Sequence, residues 1–137
     1  MRRLLFVVRR PGMCYTVCNR MHERMRRIPM KIPANGFTHA GKFHADDVFA
    51  TALLQILRPD IKITRGFVVP DDFDGIVYDI GFGMFDHHQE PRETRPNGIP
   101  YAAFGLLWRV LGPGLVGERQ ARLILSLIHI SEPTRPY

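Results

Sequence analysis

The run Ile76-Val77-Tyr78-Asp79-Ile80 constrains this chain more than any other stretch. It is short and mostly apolar, and it follows the turn residues Pro70-Asp71-Asp72-Phe73-Asp74-Gly75. A strand apolar on both faces belongs inside a parallel sheet, where helices cover both sides. The flanking sequence supplies the other parts. Phe37-Thr38-His39 ends a strand. Asp46 or Asp47 can N-cap a helix running through Arg58, with Val48, Phe49, Ala52, Leu53, Ile56 and Leu57 at helical spacing. Pro59 stops it, because proline lacks the N–H and crowds the preceding turn. Ile61-Lys62-Ile63-Thr64 alternates as a strand does. Pro91 to Pro100 reads as a loop, and Tyr101 to Leu111 as a second amphipathic helix. Strand, helix, strand, strand and helix in this order predict an α/β fold: a mainly parallel sheet with helices packed on it.

A chain of 137 residues suits one domain, and 45% hydrophobic with 23% charged residues is ordinary for a globular protein. The net charge of +6 would suggest an acidic partner such as nucleic acid, but it is unevenly spread. Residues 1–29 hold eight arginines against one acid, and the remainder holds eleven basic residues against twelve acidic ones. Net charge therefore says nothing of what the body binds. The leader 1–29 contains no serine, unlike a transit peptide. It reads as a start assigned too early, with Met30 or Met25 the true one, or else as a disordered basic arm. Cys14, Cys18 and His22 are spaced four apart, which is no zinc spacing. At the other end, residues 125–137, from Leu125-Ser126-Leu127 to Thr134-Arg135-Pro136-Tyr137, read as an in-frame translation of a transposase-type sequencing adapter. The interpretable domain is then 30–124, with the natural protein expected to continue beyond it. No segment is long enough to span a membrane and nothing implies disulfides, so a cytoplasmic location is expected.

The chemistry concentrates in two places. Val77 to Gln89 places Asp79, Asp86, His87 and His88 within ten residues; Thr38 to Asp47 adds His39, His44, Asp46 and Asp47. Four of the six histidines lie in these clusters. Imidazole and carboxylate together suit divalent metals of borderline softness. Taken singly, each residue has a plainer use: Asp46 as a helix cap, His39 or His44 as structural histidines, Asp79 as a solvated strand end. Asp71, Asp72 and Asp74 read as the polar residues of their turn. Together the clusters say more. In an open α/β sheet the site lies beyond the carboxyl ends of the strands, where His39 and Asp79 would both project. Neighbouring side chains point in different directions, so one of His87 and His88 can take a metal while the other faces a substrate.

Thr-His-x-Gly-x-Phe-His-x-Asp-Asp from Thr38, Val77-Tyr78-Asp79-Ile80-Gly81, Phe85-Asp86-His87-His88-Gln89 and Asn97-Gly98-Ile99-Pro100-Tyr101-Ala102-Ala103-Phe104-Gly105-Leu106 carry a resemblance. Over residues 34 to about 112 the chain resembles the melanocyte-proliferating-gene exonuclease-like family. That family is related to the DHH phosphoesterases, which include RecJ-type exonucleases and family II inorganic pyrophosphatases. The resemblance implies a dinuclear, commonly manganese, centre that hydrolyses phosphate esters or anhydrides. Carried over, His39 and His44 would bind one metal, Asp46 and His87 the other, and Asp79 would bridge. His88 would face the scissile phosphate and Asp86 would orient a histidine. The wider superfamily has a further metal-binding aspartate and a second, substrate-gripping domain downstream. No Asp follows Asp86 here, so an incomplete enzyme is expected.

The expected function is a metal-dependent phosphoesterase, with a 3′–5′ exonuclease on RNA or short oligonucleotides as its sharpest form. Two divalent ions would activate one water and clamp the attacking and leaving oxygens. A small-molecule phosphatase or pyrophosphatase is the alternative, and a catalytically silent fragment is a third reading.

Overall fold

A computed structural model describes residues 29–127; nearly all of the basic leader, and the tail from residue 128, lie outside them. The core is a three-stranded parallel sheet with the order β2-β1-β3, bearing out the α/β expectation. β1 (Asn35–His39) is central, pairing with β2 (Lys62–Gly66) from Asn35↔Lys62 to His39↔Gly66. On its other side it pairs with β3 (Ile76–Val77) through Gly36↔Ile76 and Phe37↔Val77. The centre is tight: a Cβ at Gly36 would lie 2.6 Å from Ile63 Cδ1.

β3 is shorter than the apolar run suggests. Tyr78 N–H still donates to Phe37 O at 3.0 Å, but Asp79 N–H turns away to Phe85 O. Asp79 sits at φ 59°, a left-handed conformation that Asp tolerates better than most residues. The strand ends there because the backbone rotates, and this rotation carries the Asp79 side chain into the site.

α1 (Ala45–Leu57) joins β1 to β2. Its N-cap is His44 rather than Asp46 or Asp47. Asp47, three residues on, accepts the His44 backbone N–H at 3.2 Å and so closes the first turn from inside. The buried stripe also differs from the expected one. Ala50, Leu53 and Leu54 are buried together with Asp46 and Asp47, while Val48, Phe49 and Ile56 are exposed. Two inward positions are acids, so the apolar pattern alone selects the wrong face. The helix ends at Arg58, before Pro59, with Arg58 Nη1 donating to Ile32 O at 2.8 Å.

α2 (Ala103–Val116) starts later and runs further than expected, carrying Pro113 inside it. α3 (Glu118–Leu127), absent from the sequence reading, follows after Gly117 at φ 91° and includes the first three residues of the suspect tail. The buried cluster joins Leu53 and Leu54 of α1, Tyr78, Phe85, and Phe104, Leu107, Trp108 and Leu111 of α2. Trp108 Nε1 donates to Ala121 O at 3.0 Å and locks α3 onto α2. No helix among the described residues is long and apolar enough to cross a membrane.

Candidate metal centre

His39 ends β1, Asp46 and Asp47 open α1, and Asp79 leaves β3. All therefore meet at the carboxyl end of the sheet, where the loop of Asp86, His87 and His88 returns. Two groups of ligand-type side chains form there: His39, His44, Asp47 and Asp79, and Asp79, Asp86, His87 and His88. Within each group the atoms offered lie within 4.8 Å of one another. Asp79 belongs to both. Its carboxylate is buried, with Oδ2 3.1 Å from His39 Nε2 and Oδ1 3.0 Å from His87 Nδ1.

Asp47 is the residue that sequence reasoning missed. Fully buried, it accepts from Thr38 Oγ1 at 3.2 Å and lies 2.9 Å from His39 Nε2 and 3.0 Å from His44 Nδ1. Its phase was the available signal, because it shares a stripe with His44, Ala50 and Leu54. Asp46 is placed differently. Its two oxygens accept the backbone N–H groups of Ala103 at 2.9 Å and Phe104 at 2.6 Å, at the positive end of α2. It lies outside both groups, although Oδ2 is 3.8 Å from His87 Nδ1.

His87 and His88 stack, with ring centroids 4.1 Å apart, where adjacency suggested divergence. Their difference is in exposure: the His87 side chain is 15% exposed and that of His88 56%. Asp86 holds His88 twice, through its backbone N–H at 3.0 Å and Nδ1 at 2.6 Å, and also accepts Phe82 N–H at 2.8 Å. His39 is fixed by its own loop. Gly41 N–H donates to its Nδ1 at 3.0 Å, turning Nε2 toward Asp47 and Asp79. A Cβ at Gly41 would come within 2.9 Å of that Nδ1, so glycine is needed for the approach. Arg65 of β2 clasps the same loop, donating to His39 O at 3.1 Å and Gly41 O at 2.7 Å while lying over the Phe43 ring.

Burial pushes the Asp46 carboxyl up to about 7, with the Asp79 charge adding to it and the two backbone N–H groups opposing. Burial works in the same sense on Asp79, but the short contact with His87 and the positive character of His87, His39 and His88 outweigh it, so its carboxyl is lowered. His87 is raised: burial opposes the charged ring, and the neighbouring Asp79 and Asp46 overcome it. Asp86 is lowered because the N–H groups of His88 and Phe82 and the His88 ring outweigh burial.

The donors fit a metal. Both Asp79 oxygens and His87 Nδ1 are buried and make no directional hydrogen bond, although Asp79 Oδ1 and His87 Nδ1 are only 3.0 Å apart. Contacts this poorly aligned leave buried polar atoms short of good partners, and a cation between them would satisfy them. Imidazole and carboxylate are the donors that divalent ions of intermediate softness select.

An α/β domain with histidine–aspartate clusters at the carboxyl end of parallel strands has the layout of a metal-dependent hydrolase. The MYG1_exonuc family, described as an uncharacterised protein family (UPF0160), matches residues 36–128, and the chain belongs to it. The match spans both clusters and bears out the resemblance to the melanocyte-proliferating-gene exonuclease-like proteins. No curated protein and no solved structure matches the chain.

Proposed function

We propose that this chain carries the metal-binding part of a phosphoesterase that cleaves phosphodiester bonds, acting from the 3′ end of RNA or short oligonucleotides. Asp79 carries the reading, because one buried carboxylate, its two oxygens 3.1 Å from His39 and 3.0 Å from His87, is shared by two ligand groups. That is the arrangement a pair of divalent ions requires of a bridging ligand. Manganese is the ion proposed, on the family's kinship with DHH phosphoesterases. His39, His44 and Asp47 would hold one ion and His87 the other, with Asp79 shared between them and Asp86 orienting His88. Asp46 supports His87 while capping α2. Bound ions would polarise a phosphate oxygen and lower the pKa of an attacking water.

The chain's own residues supply the rest. Asp86 accepts from His88 Nδ1–H, so Nε2 faces the substrate, as an acceptor when the ring is neutral and as a donor to a phosphate oxygen when it is protonated. Exposure of His88 puts this ring at the entrance, where substrate arrives. Calorimetry with Mn²⁺ tests the centre: two ions per chain are expected, with Asp79→Ala reducing binding at both. A 5′-labelled oligonucleotide tests the activity in the longest available protein that contains this region. A ladder of 3′-shortened products supports the exonuclease reading. Release of phosphate from pyrophosphate alone would favour the small-molecule alternative, and undiminished Mn²⁺ binding by Asp79→Ala would overturn the centre.

A further inference from the structure

The mouth of the centre is a cavity of about 560 Å³ reached by His39, His44, Asp79 and His88, with Lys42, Phe67 and Phe82 on its walls. That volume falls within the range of small-molecule sites. Phe67 and Phe82 are 81% and 72% exposed. The Phe82 backbone adds a second observation. At φ 55° it occupies the left-handed region, where a bulky side chain is an outlier and glycine is at ease. Strain retained at an exposed aromatic beside a reactive centre points to use of the ring. Phe82 N–H is held by Asp86, the carboxylate that also orients His88. The backbone that carries the ring is therefore held by the same carboxylate that orients the histidine at the entrance.

Resting on the phosphoesterase reading, we propose that Phe82 and Phe67 are a stacking platform for a substrate nucleobase, with Lys42 beside the sugar–phosphate backbone. An aromatic face accepts any base, so such a platform gives affinity without sequence preference. Lys42 supplies the cation for a neighbouring phosphate. The substrate class is then a short single-stranded oligonucleotide bound by one or two bases, and inorganic pyrophosphate would leave both rings unused.

The test is calorimetry on the 137-residue chain with Mn²⁺, titrated with a dinucleotide, its abasic counterpart and inorganic phosphate. The dinucleotide should bind more tightly than the abasic ligand, by roughly five- to 150-fold per stacked base. Phe82→Ala and Phe67→Ala should each shrink that ratio, and Phe82→Trp should restore it. Phe82→Gly keeps the backbone bond to Asp86 and relieves the left-handed strain. It should lose the base-dependent gain while melting no lower than the parent. Abasic and phosphate affinities should stay the same in every variant. An abasic ligand that binds as tightly as the dinucleotide, or a ratio unchanged in Phe67→Ala/Phe82→Ala, overturns the platform. A base-dependent gain in a chain with no affinity for phosphate would instead count against the phosphoesterase reading and leave the platform standing. Binding of none of the three ligands would overturn both.

Discussion

Asp46 offers the clearest separation of fold from chemistry, and Asp46→Ala is the perturbation to make. The carboxylate accepts two backbone N–H bonds of 2.9 and 2.6 Å at the start of α2, linking helices whose first turns are 57 residues apart. Removing it strands two buried donors. Hydrogen bonds to a charged acceptor contribute roughly 1.5–3 kcal/mol each, so the gross loss is about 3–6 kcal/mol. The variant also sheds the cost of a buried charge, visible in a carboxyl pushed up to about 7. Loss of an ordinary helix cap costs about 0.5–2 kcal/mol; with the offset, a net destabilisation of about 1–3 kcal/mol is expected. For a domain of this size each kcal/mol lowers Tm by roughly 4–8 °C.

The pH dependence has a definite sign. A carboxyl raised on folding stabilises the protein fully below its unfolded value of 3.8, and that stability is lost as pH rises through about 7. The gap between parent and variant, measured by thermal melts in chelator, should therefore widen as pH falls from about 7 toward 4. Mn²⁺ stoichiometry by calorimetry should be unchanged, because Asp46 already spends both oxygens on α2. A variant that melts with the parent but has lost one ion would refute the reasoning and make Asp46 a ligand, as the family resemblance implied.

Asp47→Ala should remove Mn²⁺ binding at the His39–His44 group while leaving the second group able to bind; equal occupancy in parent and variant would show that Asp47 only braces the histidines. His88→Ala in an active protein containing this region should cut turnover by roughly 10²–10⁴-fold with metal affinity nearly kept, whereas His87→Ala should lose metal and activity together and recover partly in excess Mn²⁺. Matching metal loss in both would reverse or merge their roles. Gly41→Ala deletes no ligand but crowds His39 Nδ1; it should weaken Mn²⁺ binding at the His39–His44 group, and undiminished affinity in calorimetry would show that the ring can shift freely.

Much of this was legible in the sequence because strand ends and chemistry coincide. His39 and Asp79 close apolar runs that have to pair in parallel, and that alone brings the two clusters together. Local conformation was harder to read. The apolar run through Ile80 gives no sign that Asp79 rotates into the left-handed region, since the cause is an N–H bond to Phe85 six residues on. The roles of Asp46 and Asp47 depend on which face of α1 turns inward. With two acids on that face, apolar spacing pointed at Val48, Phe49 and Ile56 instead. α3 is held by a tryptophan N–H reaching Ala121, a contact that no periodicity announces.

The clasp of Arg65 on the His39–Gly41 loop has one more consequence. Side chains along a strand alternate between faces, so slipping β2 by one residue against β1 would swing Arg65 to the opposite side of the sheet. The carbonyls of His39 and Gly41 would then lose their guanidinium, and the loop that aims His39 would be released. Only a correctly aligned sheet can assemble the first ligand group. Metal affinity thus doubles as a reporter of pairing fidelity: molecules that fold out of step would be compact and helical yet fail to capture the ion.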